Sequence, residues 1–223
     1  MRRAYGLLLP AALLTASCQH GEGTIEVTAY GESFIEEGIP SSEMDDGWAV
    51  DFAEFSATIT AIQVGGEALG DPGAVDLTMP SGGRGHSLGA VAAPEGDHTG
   101  AAFTMARVDV RGSATHGSDT KTFAWQFEEP TPYTHCDATT SVTDGGIATL
   151  QITVHADHLF ANSLVADEPQ LLFQPLADAD SDDDGAIVQA ELADADIGAY
   201  DPGSEGGIDD LWAWLVAQTR TLG

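Results

Sequence analysis

Between Thr24 and His155 the chain is a succession of short runs that mix β-branched, aromatic and polar residues, separated by glycine and proline. Side chains of an extended strand point alternately to opposite faces, so such runs can bury one face each and must stack as sheets to do it. Thr24-Ile-Glu-Val-Thr-Ala-Tyr alternates clearly, and Phe55-Ser-Ala-Thr-Ile-Thr-Ala-Ile-Gln-Val is long and rich in β-branched residues. Ala74–Met79, Ala101–Arg111, Lys121–Glu128 and Ile147–His155 continue the series, and in Phe123-Ala-Trp-Gln-Phe the aromatics share one face. Gly65-Gly66, Pro72-Gly73, Gly82-Gly83 and Gly145-Gly146 mark the turns. The pattern predicts a mainly β fold, an antiparallel β-sandwich over residues 24–160, long enough to close one sizeable core.

Residues 161–223 read as a helical extension. Ile208, Leu211, Trp212 and Leu215 recur at i, i+3, i+4 and i+7, with Asp209 and Asp210 in the first turn and Arg220 near the end. Trp214 and Val216 widen that apolar arc, so the helix is expected to be well buried. Pro175 suits the first position of a single turn, and a further helix is expected from near Gln189, through Leu192, to an end by Gly198.

Between those two helical pieces stands Asp180-Ser-Asp-Asp-Asp-Gly-Ala-Ile-Val-Gln-Ala-Glu. Asp180, Asp182 and Asp184 occupy positions 1, 3 and 5 of a twelve-residue loop, and Gly185 at position 6 permits a sharp turn. Ala186 at position 7 offers its carbonyl, Val188 at position 9 acts through a water, and Glu191 at position 12 supplies two oxygens. The stretch resembles an EF-hand calcium loop, and the resemblance implies that Ca2+ is the ligand. The bland alternative is an acidic turn in an acidic chain. Carboxylates crowded together repel, so a dication would order the loop and couple binding to local folding. Such hands usually come in pairs, yet Asp194-Ala-Asp-Ile-Gly lacks the spacing for a second one. A structural clip, with an affinity of roughly 10⁻⁴ to 10⁻³ M, is therefore expected rather than a switch.

The amino end carries an address. Arg2 and Arg3 precede an apolar run from Leu7 to Leu14, too short to span a bilayer, and then Ala16-Ser17-Cys18. Leu14-Thr15-Ala16-Ser17-Cys18 resembles a bacterial lipobox, although Thr15 stands where aliphatic residues are commonest. The resemblance implies a signal peptide over residues 1–17, a lipid-bearing Cys18 opening a short tether over 18–23, and a membrane partner reached through acyl chains. Gln19, where an Asp would suggest retention in the inner membrane, points to the outer membrane or cell surface. The ordinary alternative is a plain secretory signal. Cys136 then has no partner for a disulfide and is expected to serve as a small buried hydrophobe.

Acids outnumber Lys and Arg by 36 to 7, for a formal charge of −29, and Lys121 is the only lysine. A surface of that sign repels polynucleotides and anionic lipid and attracts divalent cations. In the body, Phe55…Ile59…Ile62, Val75-Asp-Leu, Pro94-Glu-Gly-Asp and Phe103…Val108-Asp-Val are similar in layout to prealbumin-like sandwich lipoproteins and to the copper-binding periplasmic partners of methanobactin systems. That likeness covers residues 24–160 and implies the fold more than any activity.

Two further patterns bear on chemistry. Gly85-His-Ser-Leu-Gly has the spacing of an esterase elbow around Ser87, but turn sequence precedes it and Pro94 and Gly96 stop any helix after it, so a flexible loop is expected. His155 and His158 flank Asp157 at a strand end and could converge only if the chain turns helical there, with His135, Cys136 or Met105 as further donors. This makes a periplasmic copper- or zinc-handling protein the alternative function, against histidines that merely cap a strand. With no phosphate loop, dinucleotide fingerprint or catalytic constellation in view, the expectation is a non-enzymatic, calcium-binding envelope lipoprotein.

Overall fold

The structure, a computed structural model, describes residues 21–223, so the expected signal peptide and Cys18 lie outside the described residues. Strand β1 (Glu22–Tyr30) leads through a helical turn α1 (Glu32–Glu36) to the long β2 (Ala49–Val64), then to β3 (Glu67–Ala68) and β4 (Ala74–Asp76). β5 (His86–Pro94), β6 (Gly96–His116), β7 (Asp119–Phe127), β8 (Thr131–Val142) and β9 (Ile147–Thr153) complete the β body. A 3-10 turn (Asp157–Phe160), α2 (Gln174–Ala177), β10 (Ala186–Ile187), α3 (Gln189–Asp194), α4 (Leu211–Gln218) and a closing 3-10 turn (Thr219–Thr221) follow.

The strands form two sheets. A three-stranded sheet runs β5-β1-β9, and a seven-stranded one runs β10-β7-β6-β2-β3, with β4 on β2 and β8 on β6. β6 organises the larger sheet: β2 lies along one side, while β8 pairs with its first half and β7 with its second. The fold is thus mainly β, sandwich-like, with a helical C-terminus. The antiparallel expectation misses two parallel pairings, β1 with β9 and β10 with β7. Each joins strands distant in sequence, where no hairpin turn advertises the partner.

Alternation explains the layers. Ile25, Val27 and Ala29 of β1 and Phe55, Ala57 and Ile59 of β2 are fully buried, as are almost completely Phe123, Trp125 and Phe127 of β7. Each large side chain removed from water contributes about 1.5–3 kcal/mol before entropy is charged against it. β6 runs well past the expected Ala101–Arg111 because Gly100, at φ 79°, does not end the strand. It makes a bulge instead, shifting the register to β8 between Thr99 and Ala101. His155 lies just beyond β9, whose last residue is Thr153.

The extension does not form a core of its own. Phe173, Leu176, Ile187, Leu192, Trp214 and Leu222 belong to the same buried cluster as the sheets. α4 is shorter than the periodicity predicts, because Asp210 is its N-cap: Oδ1 accepts the Ala213 N–H at 2.8 Å, leaving Ile208 and Asp209 outside. Its Trp212 stacks on Phe127 with ring centroids 5.0 Å apart. No helix among the described residues is long and apolar enough to cross a membrane.

Candidate metal centre

The acidic loop is suspended between two anchored elements. On its near side, Phe173 and Leu176 are fully buried, and Pro175 sits in the first turn of α2, where its missing N–H costs nothing. Asp46 Oδ2 accepts the N–H groups of Phe173 at 2.6 Å and Gln174 at 2.7 Å, which closes that turn from the β body. On the far side, Ile187 and Leu192 are buried at 1% and 0% exposure.

Between them, β10 adds a short parallel strand to the edge of β7, pairing Ala186 with Thr122 and Ile187 with Phe123. Thr122 N–H donates to the Gly185 carbonyl at 2.8 Å, and Trp125 Nε1 donates to the Ile187 carbonyl at 3.1 Å. The edge of the large sheet thus supports a loop for which the sequence offers no second hand.

Inside the loop, Asp183 at φ 57° and Gly185 at φ 84° both take the left-handed conformation that tightens the turn. The tightening draws one carboxylate oxygen each from Asp180, Asp182 and Asp184 to within 4.8 Å of one another. Main-chain donors orient them: Gly185 N–H to Asp180 Oδ2 at 2.9 Å, Asp184 N–H to Asp182 Oδ1 at 3.2 Å, and Ala186 N–H to Asp184 Oδ1 at 2.7 Å.

Asp180 is the centre of the cluster. Its side chain is completely shielded, Lys121 Nζ donates to Oδ2, and Oδ1 is buried with no hydrogen-bond partner. A buried oxygen in that state has lost its water without replacement. A hard cation could supply the missing partner, and the oxygen donors around Asp180 are of the kind calcium takes. The residues present therefore fit the ion on this point.

The remaining expected ligands are placed as follows. Glu191 is not gathered with the three aspartates: Oε1 accepts from Ser181 N–H at 2.9 Å and Ser181 Oγ at 3.2 Å, and Oε2 from Val188 N–H at 3.1 Å. That last bond is half of a capping box for α3; Val188 has no side-chain oxygen to return it. Ligation by Glu191 would exchange these bonds for the ion. Ala186 is half-buried and Val188 is 48% exposed, so both contribute main chain only.

Lys121 is the residue that sequence reading passes over. It lies 59 positions from Asp180 and reaches it only through the β7–β10 register, a relation with no local signature. Its being the only lysine is the one hint. It lines, with Trp48, Asp178 and Asp184, an open depression of about 590 Å³ beside the loop.

Charges here are mutually adjusted. The Lys121 ammonium holds the Asp180 carboxyl below its ordinary range, helped by Gly185 N–H, and Asp180 in turn holds Lys121 above its own. Val188 N–H, then Ser181, hold Glu191 low. A carboxyl depressed in the folded state stabilises it above the unfolded pKa and loses that contribution as pH falls through the folded one. In chelator, the chain is therefore expected to lose stability from about pH 4 downward. Lys121, raised from 10.5, contributes in the opposite sense: fully below that value, and not at all once pH climbs past its folded pKa. Denaturant midpoints across pH check both limbs; Lys121→Met should remove the alkaline limb and shrink the acid one.

Elsewhere, Ser87 is an exposed residue within β5, opposite Thr28, with strand on both sides rather than a turn into a helix. Met105 is buried in the core and Cys136 is half-buried. His155 and His158 do come together, their rings stacked 5.1 Å apart, because the chain makes a 3-10 turn there. No family model, curated protein or solved structure matches the chain.

Proposed function

We propose that this protein is a non-enzymatic calcium-binding lipoprotein of the bacterial envelope, lipidated at Cys18, held at the outer membrane by that anchor, and using a single loop to fasten its C-terminal helices to a β-sandwich. The observation that carries the reading is the buried, unpartnered Oδ1 of Asp180 within a cluster of three aspartates at the spacing of a calcium loop. Support comes also from the left-handed turn at Asp183 and Gly185 and from the short β10 pairing, which fixes the loop's second half. Calcium would be held by Asp180, Asp182, Asp184, the Ala186 carbonyl, a water at Val188, and Glu191. It supplies charge neutralisation and oxygen coordination, and the surrounding residues orient the carboxylates and exclude water from Asp180. The role is mechanical: joining α2 to α3 keeps both against the large sheet.

With the Kd of roughly 10⁻⁴ to 10⁻³ M expected for such a loop, about 1 mM calcium binding the folded state alone stabilises it by about 0.4–1.4 kcal/mol, which in a chain of this size raises Tm by about 1–6 °C. Millimolar calcium is expected to give that rise in the native protein, and Glu191→Gln to abolish it. A native protein whose Tm ignores calcium would refute the reading.

A further inference from the structure

A second cluster of ligating side chains, separate from the acidic loop, lies where β9 ends. We infer that His155, Asp157 and His158 form a site for a late first-row divalent ion of the zinc type, with Glu32 and Thr221 holding the two imidazoles in place.

The backbone there is pinned from within. Val154, Ala156, Leu159 and Phe160 are fully buried, which leaves His155, Asp157 and His158 half-buried at the surface. Val154 N–H donates to the Tyr30 carbonyl at 2.8 Å and His155 N–H to the Leu222 carbonyl at 2.9 Å. On this frame one nitrogen of each ring and one Asp157 oxygen lie within 4.8 Å of one another. The two rings are nearly parallel, at 13°.

The hydrogen bonds assign both tautomers. His158 Nδ1 lies 2.6 Å from the Thr221 carbonyl oxygen and 3.2 Å from its hydroxyl. A carbonyl oxygen only accepts, so Nδ1 bears the proton and Nε2 of the neutral ring keeps its lone pair. His155 Nδ1 lies 2.9 Å from Glu32 Oε1, a carboxylate that likewise accepts. An oxygen on the far nitrogen is what fixes the orientation of a metal-binding imidazole and raises its basicity. Glu32 is presented from φ 54°, a left-handed conformation that side chains other than glycine adopt at a cost.

The third donor is the one left unsatisfied. Asp157 Oδ1 is buried and accepts no hydrogen bond. A carboxylate oxygen desolvated without a donor is costly, and a cation beside it removes the cost. Two imidazole nitrogens and one carboxylate oxygen suit zinc and its neighbours, leaving a fourth position for water, whereas calcium and magnesium take oxygen shells. The chain thereby sorts ions by donor chemistry, hard ones to the loop and borderline ones to the histidines.

The test is calorimetric titration of the full chain with zinc, under saturating calcium so that the acidic loop is occupied. One zinc per chain is expected. His155→Ala/His158→Ala should weaken its uptake by at least about 100-fold, and Glu32→Gln by about tenfold with the stoichiometry kept. Should the double variant unfold, ¹⁵N resonances of the native protein decide: zinc moves the imidazoles of His155 and His158 and leaves those of His86, His98 and His116 in place. No uptake, uptake unchanged by the double substitution, or shifts confined to the other histidines would overturn the inference.

Discussion

A chain ending at Phe160 is expected to show no cooperative unfolding transition. The sheets in that fragment would stand without Phe173, Leu176, Ile187, Leu192, Leu211, Trp214, Leu215 and Leu222, all buried in the intact molecule. Truncating a single such residue typically costs about 2–5 kcal/mol, and whole domains hold only about 5–15 kcal/mol, so the combined loss exceeds the total. The seam is also polar and specific. Trp48 Nε1 donates to Gln174 Oε1 at 3.0 Å, Asp45 exchanges bonds with Leu171, and Asp46 caps the turn of α2. Phe123 and Phe173 stand 6.0 Å apart across the same seam. Urea titrations followed by tryptophan fluorescence and far-UV circular dichroism check this; a sharp, coincident transition in the fragment would show that the sandwich folds alone.

The second large effect is expected at Trp214. It is fully buried and stacks on Tyr200, the centroids 4.9 Å apart and the planes within 4°. Tyr200 OH in turn donates to the Leu172 carbonyl at 3.1 Å, and burial holds its phenol far above its usual pKa. Trp214→Ala should therefore cost about 3–5 kcal/mol, lowering Tm by about 10 °C. Trp214→Phe should cost well under half as much, because the buried indole Nε1 has no acceptor to lose. Thermal melts of the two variants give the comparison; equal losses would mean that ring stacking is not what Trp214 contributes.

The β body was legible wherever one face is buried and the other wet, as in β1 and β7, since alternation is written residue by residue. Long-range pairing was not. Nothing in Thr24–Tyr30 announces that it lies parallel to Ile147–Thr153, nor that Ala61 takes φ 51° within a register shift of β2. The loop's spacing was visible because its carboxylates are close neighbours in the chain. Its counter-charge at Lys121 was invisible because strand register brings it there. The convergence of His155 and His158 depended on a 3-10 turn that the residues only permitted, and the oxygens that orient the rings come from Glu32 and Thr221 at distant points of the sequence.

The two-residue pairing of β10 with β7 has a protective side. Without it, the margin of β7 would be open at Thr122 and Phe123 too, with bare N–H and C=O groups there. Such margins template the addition of strands from other molecules and seed aggregation. If calcium fastens this loop as proposed, it would also shield that flank, and a calcium-poor medium is then expected to promote self-association.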